Sequence, residues 1–246
     1  MQFNQIINGI NVSASYSDKE INEIFVPLLK HLKDIHEKKK KRILVMLAAP
    51  PGAGKSTLAS FLEYIVHDVI TGCKVQAIGM DGFHRRQEYL LSHTVTVDGE
   101  DVRMVDIKGA PVTFDLEALT KKITEAVSGK VCGWPAYDRL LHNPVEDAVL
   151  INGDIIILEG NYLLLDEEGW RELSDLSDYT ISITADPVML KERLLARKIA
   201  SGATAEAAEK FVSFSDMANV KLCLGKTKPA DLQLTVSKGS GYAKLL

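Results

Sequence analysis

The chain has few cysteines and lacks any long apolar run. Its cysteines are odd in number and widely spaced, without a Cys-x-x-Cys pair: Cys73, Cys132 and Cys223. This pattern argues against a disulfide framework and against a structural zinc site. The longest apolar run, Ile43 to Ala49, is far shorter than the ~18 residues that a membrane helix needs. No basic segment followed by an apolar one opens the chain, so we expect no signal peptide and a cytoplasmic protein.

No charge of one sign dominates the 246 residues. There are 29 Lys and Arg against 33 Asp and Glu, which gives a formal net charge of −4. This near balance provides no general attraction to nucleic acid or to an anionic membrane, and we expect neither as a partner. Hydrophobic residues make up 46% of the chain, so that length and composition together predict one large globular domain spanning residues 1–246.

Residues 1–42 are interpreted as a helical extension that precedes this domain. Ser17 or Asp18 can cap a helix whose apolar residues recur at helical spacing. These residues are Ile21, Ile24, Leu28, Leu29 and Leu32. Pro27 is expected to interrupt that helix. The basic run at 38–42 suits a helix end, where exposed carbonyl groups carry partial negative charge.

Short apolar segments alternate with helical patterns along most of the remaining chain. The segments that predict strands are residues 43–47, 74–79, 154–158, 179–184 and 232–236. The helical patterns cover 56–70, 115–127, 187–200 and 204–222. This alternation predicts an α/β fold with a central parallel sheet flanked by helices. Residues 83–114 break the alternation, and we interpret them as an insertion that carries a small hairpin, 94–97 with 102–107, around a turn at Asp98 and Gly99.

The most informative motif begins at Ala49, directly after the first apolar strand, and opens a helix. It has the sequence and context of a P-loop, whose small residues let backbone N–H groups surround phosphate oxygens. We predict that its nucleotide-binding residues are Pro51, Gly52, Ala53, Gly54, Lys55, Ser56 and Thr57. Lys55 would contact the β- and γ-phosphates, and the Ser56 hydroxyl would bind Mg²⁺. The usual pattern starts with Gly, and Ala49 occupies that position, so the turn must avoid left-handed backbone angles or be strained.

Two carboxylates are predicted at strand ends close to this loop. Glu159 ends the apolar segment that begins at residue 155, and we expect it to hold Mg²⁺ through water. Asp81 follows the segment 74–79 and therefore lies at the carboxyl end of a strand, where open α/β sheets bind ligands.

The segment from Gly79 to His84 resembles the Asp-Ser-Phe-Tyr motif of uridine kinases, with Asp81 at the Asp and His84 at the Tyr. Those enzymes belong to the uridine kinase/phosphoribulokinase group of P-loop kinases, which also includes bacterial-type pantothenate kinase. Further motifs of this group have counterparts in the same order at residues 111–115, 135–142 and 157–160. The resemblance implies that Asp81 accepts the proton of the substrate hydroxyl. It is greatest to a bacterial branch of nucleoside or sugar kinases.

The acceptor side differs from that of uridine kinases. Val112 stands where their ribose-binding carboxylate would be, which argues against uridine as the substrate. Tyr137 and His142 match residues that contact the base in those enzymes, and Arg139 replaces an aromatic residue. His84, Tyr137, Arg139 and His142 are therefore the predicted acceptor-binding residues. The loop formed by His84 and the following Arg85 and Arg86 either binds an anionic acceptor or is simply solvated.

A helical lid is predicted at residues 193–210. Arg193 and Arg197 are four residues apart and share one helical face. Arginines in the lid of the resembling family bind the transferring phosphoryl group, so the resemblance implies a catalytic role for both, beside Asp81 and Lys55. The basic residues of this helix could also form only a solvated face.

The sequence therefore predicts a P-loop kinase that uses ATP and Mg²⁺ to phosphorylate a hydroxyl of a small metabolite, such as a nucleoside, a sugar or a pantothenate-like compound. The alternative is a nucleotide-binding regulatory NTPase without a small-molecule acceptor. Helical faces outside the site could support a homodimer.

Overall fold

The computed structural model describes residues 1–7, 9–97, 99–239 and 241–245. Asp98, the first residue of the predicted hairpin turn, lies outside the described residues. The strands are β1 (Gln2–Ile7), β2 (Ile10–Ser15), β3 (Ile43–Ala48), β4 (Val75–Gly79), β5 (Thr94–Val97), β6 (Glu100–Arg103), β7 (Cys132–Asp138), β8 (Asn143–Ile151), β9 (Ile155–Gly160), β10 (Tyr179–Ala185), β11 (Leu232–Val236) and β12 (Tyr242–Lys244). The α-helices are α1 (Asp18–Glu20), α2 (Val26–Lys39), α3 (Lys55–Val69), α4 (Gln87–Ser92), α5 (Leu116–Val127), α6 (Pro187–Ala200), α7 (Ala205–Phe211) and α8 (Met217–Lys226).

The central sheet confirms the predicted α/β fold. Among the described residues its strand order is β12-β11-β10-β3-β9-β4, and only β12 runs antiparallel to its neighbour. Strands β3 and β9 are buried along their whole length, as expected for central parallel strands covered by helices on both faces. In the described part of the chain no helix is long and apolar enough to cross a membrane.

Alternate side chains of β3 supply the two halves of the hydrophobic core, because successive residues of a strand face opposite sides of the sheet. Ile43, Val45 and Leu47 pack in one cluster with α2, α3 and α6. Leu44 and Met46 pack in the other, with α5 and β7. The sheet is therefore packed on both faces, which fixes the carboxyl ends of its strands relative to the surrounding loops.

The N-terminal extension differs from the helix that was expected over residues 1–42. It opens with an antiparallel hairpin of β1 and β2; β1 lacks a regular alternation of apolar and polar residues, whereas β2, INVSAS, alternates at every position. Helix α1 begins after Ser17, which forms a reciprocal capping box with Glu20. Pro27 does not interrupt the helical segment: a π-helical turn at Ile21–Phe25 precedes it, and Pro27 occupies the first turn of α2, where its missing N–H is tolerated.

A second hairpin, formed by β7 and β8, was not predicted from the sequence. Its pairing is irregular between Trp134 and Ala136, beside Pro135, which cannot donate a ladder hydrogen bond. The smaller predicted hairpin is present, but β6 ends at Arg103, and residues Met104–Ile107 form a 3₁₀ turn. The predicted helix over 204–222 is interrupted by a π-helical turn at Val212–Asp216 and continues to Lys226.

Candidate active site

The phosphate-binding loop connects β3 to α3. Gly52 and Gly54 adopt left-handed backbone angles, with φ of 82° and 90°, which glycine reaches without steric cost. Ala49 is not among the residues with positive φ, and its N–H donates to the Gly160 carbonyl oxygen at 3.2 Å. The turn therefore avoids the strain that the missing first glycine could have caused.

Glu159 lies at the carboxyl end of β9, between β3 and β4. One of its carboxylate oxygens accepts a hydrogen bond from the Ser56 hydroxyl at 2.7 Å, and the other is 4.0 Å from the Lys55 Nζ. Burial raises the pKa of Glu159, and the charge of Lys55 opposes this shift. The structure thus brings together the two residues that were predicted to hold Mg²⁺.

Asp81 lies just beyond the end of β4, in a 3₁₀ turn. Burial by itself would raise its pKa, but nearby positive charges outweigh that effect and hold the pKa below its usual value. Burial lowers the pKa of His84 to about 4, so His84 is neutral at pH 7. The charges that lower the pKa of Asp81 belong, in decreasing order, to His84 when it is protonated, and to Lys55, Arg139 and Arg197.

Strand β7 packs directly against the turn that carries Asp81. The Trp134 indole N–H donates to the Gly79 carbonyl oxygen at 2.9 Å. A side-chain carbon at Gly82 would overlap the Pro135 carbonyl, so this close approach requires glycine. The hairpin that was missed from the sequence is thus the element that fixes the Asp81 turn from outside the sheet.

The His84 side chain connects the Asp81 turn to the β7–β8 hairpin. Its ring stacks on Phe114 with centroids 4.0 Å apart and meets the edge of Tyr137 at 5.2 Å. Its Nδ1 is buried without a hydrogen-bond partner, a costly arrangement for a polar atom. A polar group of a bound acceptor could satisfy this nitrogen.

Lys108 also lies beside the Tyr137 ring, although the sequence did not predict it as a residue of the site. Its ammonium lies 5.0 Å from the centre of the Tyr137 ring and donates to the Gln87 side-chain oxygen at 2.7 Å. It also donates to the His142 carbonyl oxygen at 3.1 Å. No local motif marks Lys108, because it reaches the hairpin only through tertiary contacts between the insertion and β7.

The structure brings some of the predicted acceptor-side residues close to Asp81 and leaves other side chains pointing away from it. Arg139 and Tyr137 both lie within electrostatic range of Asp81. The His142 side chain is exposed, on a turn where its own φ is 52°. Arg85 is 3.7 Å from Asp115 and stacks over Tyr89.

The two arginines that were predicted to lie in a lid occupy different positions relative to the phosphate loop. Arg193 donates to the carbonyl oxygen of Gly52 at 3.4 Å and therefore contacts the phosphate loop directly. Arg197 is an exposed residue of α6 within electrostatic range of Asp81 and Arg139. Although they share one helical face, the first faces the phosphate loop and the second faces the carboxylate of the acceptor side.

Comparison with known families identifies the family to which the chain belongs. A sequence model described as "Phosphoribulokinase / Uridine kinase family" matches residues 44–238. The chain belongs to this family. Most of the matched region is the sheet with its flanking helices, and it includes the phosphate loop, Asp81, Glu159 and both lid arginines. This protein is therefore a member of a kinase family, as the order of its motifs indicated.

Several known proteins resemble the chain over most of its length. The Escherichia coli K12 protein "Uncharacterized protein YggC" is 38% identical over 243 residues, with 98% of each chain covered. A Schizosaccharomyces pombe protein named "Putative uridine kinase C227.14" is 32% identical over 205 residues, covering 79% of this chain and 80% of the relative. The crystal structure titled "putative fructose transport system kinase" from Silicibacter sp. TM1040 superposes with a TM-score of 0.75 at 29% identity, covering 85% of this chain and 98% of the other.

Proposed function

We propose that this protein is an ATP-dependent kinase that transfers the γ-phosphoryl group to a hydroxyl of a small metabolite. The observation that carries the proposal is the position of Asp81: an ionised carboxylate at a strand end, within electrostatic range of Lys55, Arg139 and Arg197. A carboxylate in this setting serves as the base toward a hydroxyl, while the cations compensate the charge of a phosphoryl group. A regulatory NTPase has no need of such a base.

In the proposed reaction Asp81 accepts the proton of the acceptor hydroxyl, and the hydroxyl oxygen forms a bond to the γ-phosphorus. The bond between that phosphorus and the bridging oxygen breaks, and ADP leaves with the electron pair. Lys55 stabilises the charge that spreads over the phosphoryl oxygens, and Arg197 closes over them from the lid. Catalysis is then mostly a matter of positioning and charge stabilisation.

The residues present fit Mg²⁺, which prefers oxygen ligands and keeps several waters and phosphate oxygens in its shell. The hydroxyl of Ser56 and the carboxylate of Glu159 are already hydrogen-bonded at 2.7 Å. No group of three or more His, Cys, Asp or Glu side chains suited to a metal occurs among the described residues, so the nucleotide phosphates would supply the remaining ligands. Mg²⁺ would neutralise charge on those phosphates, with Ser56 as its direct ligand and Glu159 acting through water.

The acceptor remains within the class of nucleosides, sugars and pantothenate-like compounds. Tyr137, Arg139 and His84 form the wall that faces Asp81, and His142 contributes through its backbone turn. Val112 is 41% exposed on a 3₁₀ turn beside this wall and offers no acceptor for a ribose hydroxyl. We therefore expect uridine to be a poor substrate, with kcat/KM below the ~10⁴ M⁻¹s⁻¹ that marks dedicated enzymes.

The test is ATP turnover with Mg²⁺ in the presence and absence of a pool of nucleosides, sugars and pantothenate, followed by deconvolution of the pool. We expect ADP release to depend on one acceptor class, whose phosphorylated product is then identified by mass spectrometry. Slow turnover that is indifferent to every acceptor would contradict the proposal and favour the regulatory NTPase. Efficient uridine phosphorylation would contradict only the role given to Val112.

A further inference from the structure

The two left-handed glycines of the phosphate loop are each packed against a residue from elsewhere in the chain. A side-chain carbon on Gly52 would lie 3.2 Å from Leu194 of α6. A side-chain carbon on Gly54 would lie 3.2 Å from the hydroxyl oxygen of Tyr242. Leu194 belongs to the lid helix, whereas Tyr242 lies in β12, beyond the 44–238 region that matches the kinase family.

Tyr242 is held in this position by the N-terminal extension. Its backbone N–H donates to Oε1 of Glu20 at 2.8 Å, and the carboxylate of Glu20 is buried. The other oxygen, Oε2, accepts hydrogen bonds from the N–H and the hydroxyl of Ser17, at 2.8 Å and 2.6 Å. A buried carboxylate that accepts three hydrogen bonds is strongly fixed, because moving it would leave a charge unsatisfied.

Aromatic packing fixes the ring of Tyr242 as well. It stacks against Tyr16 and meets Phe25 edge to face at 5.9 Å. Tyr16 in turn stacks on Phe61 of α3, with centroids 3.9 Å apart. The ring is thus embedded between the extension and the helix that starts at the phosphate loop, and its hydroxyl points at the first turn of that helix.

We propose that Tyr242 is a positioning residue for the phosphate-binding loop and that Glu20 holds it there. Glycine backbones lose much conformational freedom on ordering, and a loop already held in its binding conformation binds phosphate more tightly. The hydroxyl of Tyr242 limits the movement of Gly54 in the same way that Leu194 limits Gly52. The extension at residues 1–42 therefore supports nucleotide binding without contributing a ligand.

This inference rests on the nucleotide binding in the proposed function and is independent of the acceptor. The test measures the Kd of a non-hydrolysable ATP analogue, AMP-PNP with Mg²⁺, by calorimetry. For Tyr242→Phe, which keeps the packed ring and removes only the hydroxyl, we expect Kd to rise about 3- to 10-fold. The KM of the acceptor is expected to stay unchanged.

Matched variants separate positioning from general stability. Glu20→Ala is expected to weaken AMP-PNP binding at least as much as Tyr242→Phe, and Glu20→Gln, which keeps an oxygen acceptor, to restore part of the affinity. Ser17→Ala removes one of the three hydrogen bonds to the Glu20 carboxylate, so we expect it to weaken AMP-PNP binding less than Glu20→Ala does. Tyr64→Phe changes an exposed tyrosine of α3 and is the control, expected to bind with the wild-type Kd.

Wild-type affinity in Tyr242→Phe and Glu20→Ala would overturn the inference while leaving the proposed kinase intact. Equal weakening in all four alanine and phenylalanine variants, in step with their melting temperatures, would overturn it too, since stability alone would explain the result. If the wild-type chain bound no AMP-PNP, the inference and the proposed function would both fail. If AMP-PNP bound and no acceptor were phosphorylated, only the proposed function would fail.

Discussion

Residues 52–57 and Glu159 form the phosphate side of the candidate active site. The acceptor side combines side chains from widely separated parts of the chain. On the phosphate side, one turn of backbone and two adjacent parallel strands set the geometry. On the acceptor side, Asp81, Lys108, Tyr137 and Arg197 meet only after the insertion, the β7–β8 hairpin and α6 have packed around the sheet. This difference implies that a substitution on the phosphate side should change how the protein binds and uses ATP. A substitution on the acceptor side should change how it binds and uses the acceptor.

Asp81→Asn is the substitution with the largest expected effect. It keeps the size of the side chain and removes the base, so kcat should fall by roughly 10²–10⁴. Affinity for AMP-PNP, measured by calorimetry, should change little, because Asp81 is assigned to the acceptor side. A collapse of nucleotide affinity would instead make Asp81 a metal ligand and break the division between the two sides.

Lys55→Ala tests the phosphate side. Loss of its ammonium should lower kcat by roughly 10²–10³, the usual cost of removing one stabilising donor. Lys55 lies at the start of α3 and outside both hydrophobic clusters, so the melting temperature should stay close to that of the wild type. Undiminished phosphoryl transfer, or a chain that does not fold, would show that its role is different.

His84 gives the acceptor side a dependence of stability on pH. Histidine in the unfolded chain titrates near 6.5, and burial lowers the pKa of His84 in the fold to about 4. Between these values the unfolded chain binds a proton that the folded chain does not, so stability is lost as the pH falls from 6.5 towards 4. The loss over this range is about 3 kcal/mol.

Replacing His84 by Phe keeps an aromatic ring against Phe114 and removes the titration. Urea unfolding at several pH values should therefore give a shallower dependence of the free energy of unfolding on pH for His84→Phe than for the wild type. Identical slopes in the two proteins would show that His84 is protonated freely in the folded state.

Arg139→Lys is expected to have the smallest effect, and it distinguishes the acceptor side from the phosphate side most clearly. Lysine keeps the charge and loses the planar pair of donors that binds a carboxylate, a phosphate or neighbouring hydroxyls. The KM of the acceptor should rise about 10-fold, and more in Arg139→Ala, with the KM of ATP unchanged. Arg103→Ala, an exposed arginine of β6 paired with Asp106, is the matched control. A loss confined to ATP, or none, would remove Arg139 from the acceptor site.

Much of the sheet and of the phosphate side was predictable, because the signals there are local. A wholly apolar strand followed by small residues and Lys55 specifies the strand, the turn and the helix start within fifteen residues of sequence. The alternation of strands and helices then predicted the parallel sheet. Asp81 and Glu159 were found because strand ends are recognisable and the carboxyl ends of parallel strands share one edge.

The remaining features had no such local signal. Strands β1, β2, β7 and β8 are short, irregular or exposed, so that their pairing depends on where the rest of the chain places them. Lys108 and Tyr242 carry no motif, and each reaches the site through a contact with a segment distant in sequence. Pro27 was expected to break a helix, but it follows the π-helical turn and lies in the first turn of α2.

The parallel sheet, the phosphate loop and the two strand-end carboxylates could be predicted from sequence alone, because each follows from the periodicity or spacing of neighbouring residues. Three features depend instead on how distant segments pack: β7 contacts the Asp81 turn at Gly82, Arg193 and Arg197 face different parts of the site, and Glu20 holds Tyr242 beside Gly54. Those contacts join residues tens to hundreds of positions apart. Close packing fixes them, and no pattern within a short window of sequence encodes it.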